Sequence, residues 1–350
     1  MREFKIGNKA VGEKNKPYVI AEIAQAHDGS LGYAHSFISL AKNSGADAVK
    51  FQTHFAREET TKDEGFRIDI FPQDKTRYEY WKRMEFTAEE WAGLFVHAKK
   101  TGIEILSSAF SVHAVDLLDR LGMKAWKVAS GEITNGPLLE AMCKTGKPVL
   151  LSSGMATSIE VDAAVQTLRM QKAEFGIFQC TSKYPTPIEE IGLNILHDFI
   201  EQYDCPVGLS DHSGNPYVPI IAMARGASLI EAHLCLHPLQ FGPDTTSSLT
   251  PDQFNMVCNA RDVLQTLNSF SVQKDEISKS LTSTRSLFSK SLALVDSQKA
   301  GTMITNEMLT LKKPGNGIKL EQKGEVIGCI LRNDKSSEQL LKFEDFEKQG

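Results

Sequence analysis

The chain has 350 residues, 41% hydrophobic and 24% charged, a balance that supports a buried core and excludes long-range disorder. A formal net charge of -5 offers no basic field for a phosphate backbone, which argues against nucleic-acid binding as the main function. No run approaches the roughly 18 apolar residues of a membrane span, and the opening MREFKIGNKAVGEKNK lacks a signal-peptide core, so a cytoplasmic protein without membrane partners is expected.

Eight short apolar runs bounded by turn residues follow one another: YVIAEIA (18–24), DAVKFQT (47–53), EILSSAF (104–110), AWKVAS (125–130), PVLLSSG (148–154), FGIFQCT (175–181), PVGLSDH (206–212) and LIEAHL (229–234). Segments of helical periodicity lie between them, among them TAEEWAGLFVHAKKTG, SVHAVDLLDRLG and SIEVDAAVQTLRMQK, several ending at a capping glycine. Near-continuous hydrophobicity means that both faces of each strand are buried, as in a parallel sheet. Eight strand–helix units predict a (β/α)8 TIM barrel over residues 1–268. A doubly wound sheet is disfavoured because no G-x-G-x-x-G follows a strand.

Residues 54–86 are too long and too charged for an ordinary loop and predict an excursion over the barrel mouth. Residues 269–284 read as a linker, and 285–350 as a small unit in which strand-like SLALV (291–295) and EVIGCIL (325–331) flank the turn KKPGNG (312–317). Six widely spaced cysteines without a C-x-x-C pair read as reduced packing thiols.

A barrel carries its chemistry at the C-terminal ends of its strands. There the runs end in Glu22; Lys50 and Gln52; Ser107 and Ser108; Lys127 and Ser130; Ser152 and Ser153; Gln179 and Thr181; Ser210 and His212; and Glu231 and His233. Solvent contact alone would also leave polar residues at strand ends. Lysines inside apolar runs are harder to explain that way, since burying an unpaired ammonium costs several kcal/mol and calls for an anionic partner. His212 and His233, ending adjacent strands, are placed to share a divalent ion. His27 is left open, and His35, His54, His97, His113 and His237 read as structural or exposed.

The segments AEIAQAHDGS (21–30), GADAVKFQTH (45–54), WKVASGEITN (126–135), LSSGMA (151–156), CTSKYPTP (180–187), GLSDHSG (208–214) and FGPD (241–244) resemble the N-acetylneuraminate (sialic acid) synthase family, including the legionaminic and pseudaminic acid synthases. RSL (285–287), KAGTMITNEML (299–309) and KKPGNGI (312–318) resemble that family's C-terminal antifreeze-like, or SAF, domain. The resemblance implies condensation of phosphoenolpyruvate with an open-chain N-acylated aldose, giving a nine-carbon 2-keto acid and phosphate. It further implies phosphoenolpyruvate binding by Lys50, Ser108, Lys127, Ser130, Ser152 and Ser210, and sugar binding by Gln52, Glu132, Tyr184 and Asp244. Glu22 would orient or deprotonate the attacking water. The family's divalent ion, usually manganese, falls on His212 and His233, and a homodimer would place each tail domain over its partner's barrel.

Three positions depart from the family pattern. Ser182 replaces a common asparagine, AEIAQAHDG replaces the commoner AEIGxNHxG around His27, and Lys313 stands where the tail turn carries a sugar-binding arginine. Lysine keeps the charge of that arginine but not its planar fork. Two other functions fit less of the pattern: a synthase of the same superfamily acting on a phosphorylated aldose such as arabinose 5-phosphate, and a non-catalytic carbohydrate-binding or scaffolding protein.

Overall fold

A computed structural model describes residues 3–68 and 70–347. The first two residues of the opening segment, Asp69 of the charged excursion and residues 348–350 of the tail lie outside them. The chain divides into two compact units, Met1–Ser269 and Phe270–Gly350.

The first unit opens with an antiparallel hairpin of β1 (Phe4–Ile6) and β2 (Lys9–Val11), whose Phe4, Ile6 and Val11 are buried. Gly7 abuts Glu104 and Phe4 packs near Gly176, both close to the starts of barrel strands, so the hairpin lies across the N-terminal end of the barrel. The eight parallel barrel strands are β3 (Tyr18–Ala24), β4 (Ala48–Thr53), β5 (Glu104–Ala109), β6 (Trp126–Val128), β7 (Val149–Ser152), β8 (Phe175–Cys180), β9 (Val207–Asp211) and β10 (Leu229–Leu234). Each pairs with its neighbour in sequence, and β10 pairs with both β9 and β3, which closes the barrel expected from the apolar runs. Every residue of β3, β8, β9 and β10 is buried, as the unbroken hydrophobicity required. The AWKVAS run contributes only Trp126–Val128, because its end winds into a 3-10 turn at Ser130–Glu132.

Helices alternate with the strands: α1 (Leu31–Asn43) follows β3, while β4 is followed by α2 (Ala56–Glu59), α3 (Arg77–Met84) and α4 (Ala88–Thr101). Then α5 (Val112–Arg120), α6 (Gly136–Lys144), α7 (Ser158–Met170), α8 (Leu193–Gln202), α9 (Tyr217–Ala224) and α10 (Pro251–Ser269) follow β5 to β10 in turn. Side-chain caps set their starts: Thr87 and Thr157 form capping boxes with Glu90 and Glu160, and Ser30, Ser111 and Asn135 each accept a first-turn N–H. Gly102 ends α4 in the left-handed region that an L side chain disfavours.

Two features support closure of the barrel. A Cβ on Gly208 of β9 would fall 2.3 Å from the Leu229 carbonyl oxygen of β10, so only glycine allows that approach. The buried Asp47 accepts from Val19 N at 2.8 Å and from Arg261 Nη1 of α10 at 2.7 Å, tying the first barrel strand to the last barrel helix.

The charged excursion carries α2, α3 and a small cluster of Phe71, Tyr80 and Met84 backed by Phe66 and Trp81. Arg83 pairs with Asp28 beyond β3, and Arg67 pairs with Asp244 beyond β10, so the segment spans the mouth as its length suggested. A two-residue strand, β11 (Ser248–Leu249), extends the sheet beside β10 with Ser248 opposite His233.

In the second unit, α11 (Lys274–Ser280) and α12 (Thr282–Phe288) occupy most of the stretch read as a linker. β12 (Ser291–Leu294) and β13 (Leu309–Lys312) pair antiparallel over a core of Leu292, Leu294, Ile304, Ile318, Val326, Leu331 and Leu341. The segment 325–331 is not the strand its apolar residues suggested: Val326 and Cys329 close turns, Gly328 is left-handed, and only Ile330 and Leu331 form single bridges. Among the described residues no helix is long and apolar enough to cross a membrane.

Candidate active site

Strand alternation turns Glu22, Lys50, Lys127 and Glu231 into the barrel, where all four are almost fully buried. Lys50 Nζ lies 2.6 Å from Glu22 Oε2 and 3.7 Å from Glu231 Oε2, while Lys127 Nζ lies 3.1 Å from Glu231 Oε1. The hydroxyls complete the cluster: Lys127 donates to Ser152 Oγ at 2.8 Å, Lys50 to Ser108 Oγ at 3.4 Å, and Ser210 Oγ to Glu231 Oε1 at 3.0 Å. The anionic partners that burial of the lysines called for are therefore internal, Glu22 and Glu231, and no bound ligand is needed to account for it. Glu231 was visible in LIEAHL as a strand-end residue facing the same side as His233. Its role as a bridge between two lysines depends on closure of the barrel, which single strands do not reveal.

The cluster splits its two carboxylates. Burial pushes Glu22 up to about 7 against the pull of Lys50. Burial also raises Glu231, but the ammonium groups of Lys127 and Lys50 outweigh it and hold that carboxyl well below its usual range. Glu22 thus stands near neutrality, poised to hold or release a proton, while Glu231 stays an anion.

Gln52 Nε2 donates to Glu22 Oε1 at 3.3 Å, placing one predicted sugar contact beside the predicted water-orienting group. Ser130 Oγ accepts from Gly154 N at 3.1 Å at the adjoining rim. A Cβ on Gly154 would stand 2.3 Å from Ser182 Oγ and 2.7 Å from Ser130 Oγ, so the serine that departs from the family pattern packs into this same corner.

His212 and His233 face each other with ring centroids 5.3 Å apart, and Tyr184 stacks on His212 at 4.2 Å. His212 Nδ1 lies 2.9 Å from the Thr181 carbonyl oxygen, which can only accept, so Nδ1 carries a hydrogen and Nε2 is the nitrogen that could take an ion; burial opposes a charge on this ring, but Cys180 and that carbonyl outweigh it and raise its pKa, so an ion there would displace a proton. Burial pushes His233 down to about 4 and keeps it neutral, the state a metal requires. Two imidazoles with available nitrogens fit a divalent ion that takes its other ligands from substrate or water. Among the described residues no group of three or more His, Cys, Asp or Glu gathers as a complete cage.

Asp244 receives Arg67 Nη2 at 2.7 Å, and the same guanidinium lies 4.5 Å above the Tyr184 ring. Arg67 had no sequence signal beyond its place in the excursion. Glu132 stands apart from the ion-pair cluster, its Oε2 accepting from Asn135 Nδ2 at 2.7 Å next to the cap of α6. Lys313 belongs to the second unit, where its Nζ lies 5.1 Å from the Phe288 ring centroid.

Known proteins share this arrangement of chain. N,N'-diacetyllegionaminic acid synthase of Campylobacter jejuni subsp. jejuni serotype O:2 is 32% identical over 333 residues, covering 93% of this chain and 99% of its own. Human N-acetylneuraminate-9-phosphate synthase is 30% identical over 307 residues, covering 86% of this chain and 84% of its own. The N-acetylneuraminic acid (sialic acid) synthetase of Leptospira borgpetersenii serovar Hardjo-bovis, solved in complex with citrate, superposes with a TM-score of 0.71 at 28% identity, over 79% of this chain and 95% of that one. The family model described as NeuB family matches residues 37–271, from within the first barrel helix to just past the last, and with these relatives it establishes that the chain belongs to the NeuB family.

Proposed function

We propose that the chain condenses phosphoenolpyruvate with an open-chain N-acylated aldose, N-acetylmannosamine or a diacetamido-hexose, to give a nine-carbon 2-keto acid and phosphate. The observation that carries this reading is the pair of buried ammonium groups at the barrel mouth, fanned out by Glu231 and flanked by hydroxyls. An arriving trianion draws Lys50 and Lys127 onto its phosphate and carboxylate, with Ser108, Ser130, Ser152 and Ser210 donating beside them. Burial keeps those contacts in a low dielectric, where they are stronger than in water.

In the reaction, C3 of phosphoenolpyruvate bonds to the aldehyde carbon of the sugar, whose oxygen takes a proton, and water adds at C2. The C2–O bond to phosphate then breaks, leaving the ketone and free phosphate. Glu22, held near neutrality, orients that water and accepts its proton. A divalent ion, manganese in this reading, would sit on His212 and His233 and polarise the aldehyde oxygen as a Lewis acid. Gln52, Glu132, Tyr184 and Asp244 hold the sugar, with Lys313 reaching it from the tail of a partner subunit in a homodimer. In this reading residues 285–350 form the SAF domain, a unit of marginal size that gains from docking on a second barrel.

The test is product mass after incubation with phosphoenolpyruvate, manganese and a panel of N-acyl hexosamines. A nine-carbon keto acid with one phosphate released per turnover is expected. Release of phosphate without metal, and only with a phosphorylated aldose, would instead assign the chain to the related aldose-phosphate synthases.

A further inference from the structure

His54, read from sequence as structural or exposed, directly follows β4 and ends the K-x-Q-x-H run that begins in that strand, whose alternate residues face one side. It is 5% exposed and lies between two parallel aromatic faces, Trp81 at 3.9 Å and Phe110 at 4.2 Å. The stack leaves its ring one plane to occupy. In that plane Nδ1 meets Glu59 Oε1 at 2.7 Å and Nε2 meets Gln52 Oε1 at 3.1 Å. Gln52 Oε1 also accepts from Gln25 Nε2 at 3.2 Å, while Gln52 Nε2 donates to Glu22 Oε1 at 3.3 Å.

The hydrogens of this chain of contacts follow from its end groups. An ionised Glu22 only accepts, so Gln52 must turn its NH2 toward it and its oxygen toward His54. That oxygen also only accepts, so Nε2 of His54 must carry a hydrogen, and a second hydrogen is shared between Nδ1 and Glu59 Oε1. Reversing the Gln52 amide would set its oxygen against Glu22 and its NH2 against the NH2 of Gln25.

We propose that His54 is a positioning residue whose Nε2–H locks the Gln52 amide and thereby keeps its NH2 on the Glu22 carboxylate. The groups packed on His54 hold it for that contact: Glu59 of α2 meets its other ring nitrogen, and the faces of Trp81 from α3 and Phe110 beyond β5 fix the plane of the ring. His27, the nearby titratable imidazole, is buried and held neutral, first by desolvation and then by the charges of His54 and Arg83. The consequence for catalysis rests on the synthase reading, which puts the sugar on Gln52 and the water on Glu22; the hydrogen on Nε2 does not.

Two readouts separate these layers. In the full chain labelled with 15N-histidine, His54→Phe keeps the aromatic stack, removes both nitrogens and so identifies the His54 signals; His54→Gln serves for the same assignment should His54→Phe fold poorly. A proton-bearing Nε2 at about pH 7.5 is expected, and a bare Nε2 would overturn the proposal whether or not the chain is a synthase. In turnover with phosphoenolpyruvate, manganese and the accepted sugar, His54→Phe should lower kcat about 10- to 100-fold while the KM for phosphoenolpyruvate stays within about twofold. His54→Gln, whose amide can donate to Gln52, should recover most of the loss. Wild-type kcat in His54→Phe, or equal losses in both variants, would overturn the lock. A wild-type chain that turns over no sugar in the panel would overturn the synthase reading alone, and the nitrogen spectrum would still decide the role of His54.

Discussion

Glu231 holds Lys127 at 3.1 Å through one oxygen and turns its other oxygen to Lys50 at 3.7 Å. Glu231→Gln should therefore destabilise the ligand-free chain by about 3–5 kcal/mol, the usual effect of removing one partner from a buried ion pair. Phosphoenolpyruvate, supplying the missing anion, should recover much of that loss. Urea unfolding with and without the ligand measures both, and a variant as stable as wild type without ligand would mean the two ammonium groups are satisfied by Glu22 and the hydroxyls.

Lys50→Met and Lys127→Met should each weaken phosphoenolpyruvate use by about 2–5 kcal/mol in kcat/KM, the range for cutting one partner of a buried charge pair. Steady-state kinetics decide this, and unchanged values in both variants would place the anion elsewhere.

Metal dependence is expected through the facing imidazoles. His212→Ala or His233→Ala should abolish turnover and manganese binding by calorimetry while leaving the far-ultraviolet circular dichroism intact. Full activity of the double variant in chelator would remove the ion from the reaction.

Glu22 sets a pH signature. Its folded value near 7 lies above the ordinary 4.5, so the folded chain binds the proton more tightly than the unfolded one. The stability it contributes is complete below about 4.5 and is lost as pH rises through about 7. Turnover should rise over the same interval, because the ionised form accepts the proton of water. Glu22→Gln should flatten the stability profile between about pH 5 and 7 and remove most activity, and an unaltered stability profile would show that Glu22 titrates normally.

Arg67 should matter to the sugar and not to phosphoenolpyruvate. With its guanidinium on Asp244 and over Tyr184, Arg67→Ala should raise the sugar KM roughly 10-fold or more, the worth of one charge-assisted hydrogen bond. Equal changes in both KM values would point instead to a general disturbance of the loop.

How much of this was legible in the chain depended on the range of the interaction. The eight runs show the barrel because burial on both faces leaves a local, continuous signature, and strand alternation alone puts Lys50 with Gln52 and Glu231 with His233 on common faces. The bridge from Glu231 to Lys127 spans 104 positions and the contact from Arg67 to Asp244 spans 177, and no local pattern carries such pairings. EVIGCIL failed in the opposite direction: its apolar residues promised a strand, but Gly328 in the left-handed region turns the backbone away. His54 was passed over because its partners Glu59, Trp81 and Phe110 come from three different segments.

The Arg261–Asp47 pair joins side chains 214 positions apart, across the seam where β10 meets β3. Contacts of that separation carry a large loop-closure cost and are slow to form. Glu22 and His233 stand directly opposite each other on that same seam. The chemical centre is therefore assembled by the slowest kind of contact in the molecule, and refolding followed by recovery of activity should lag behind recovery of helix content. A chain halted before its eighth strand would hold lysines and serines in plenty but no working centre.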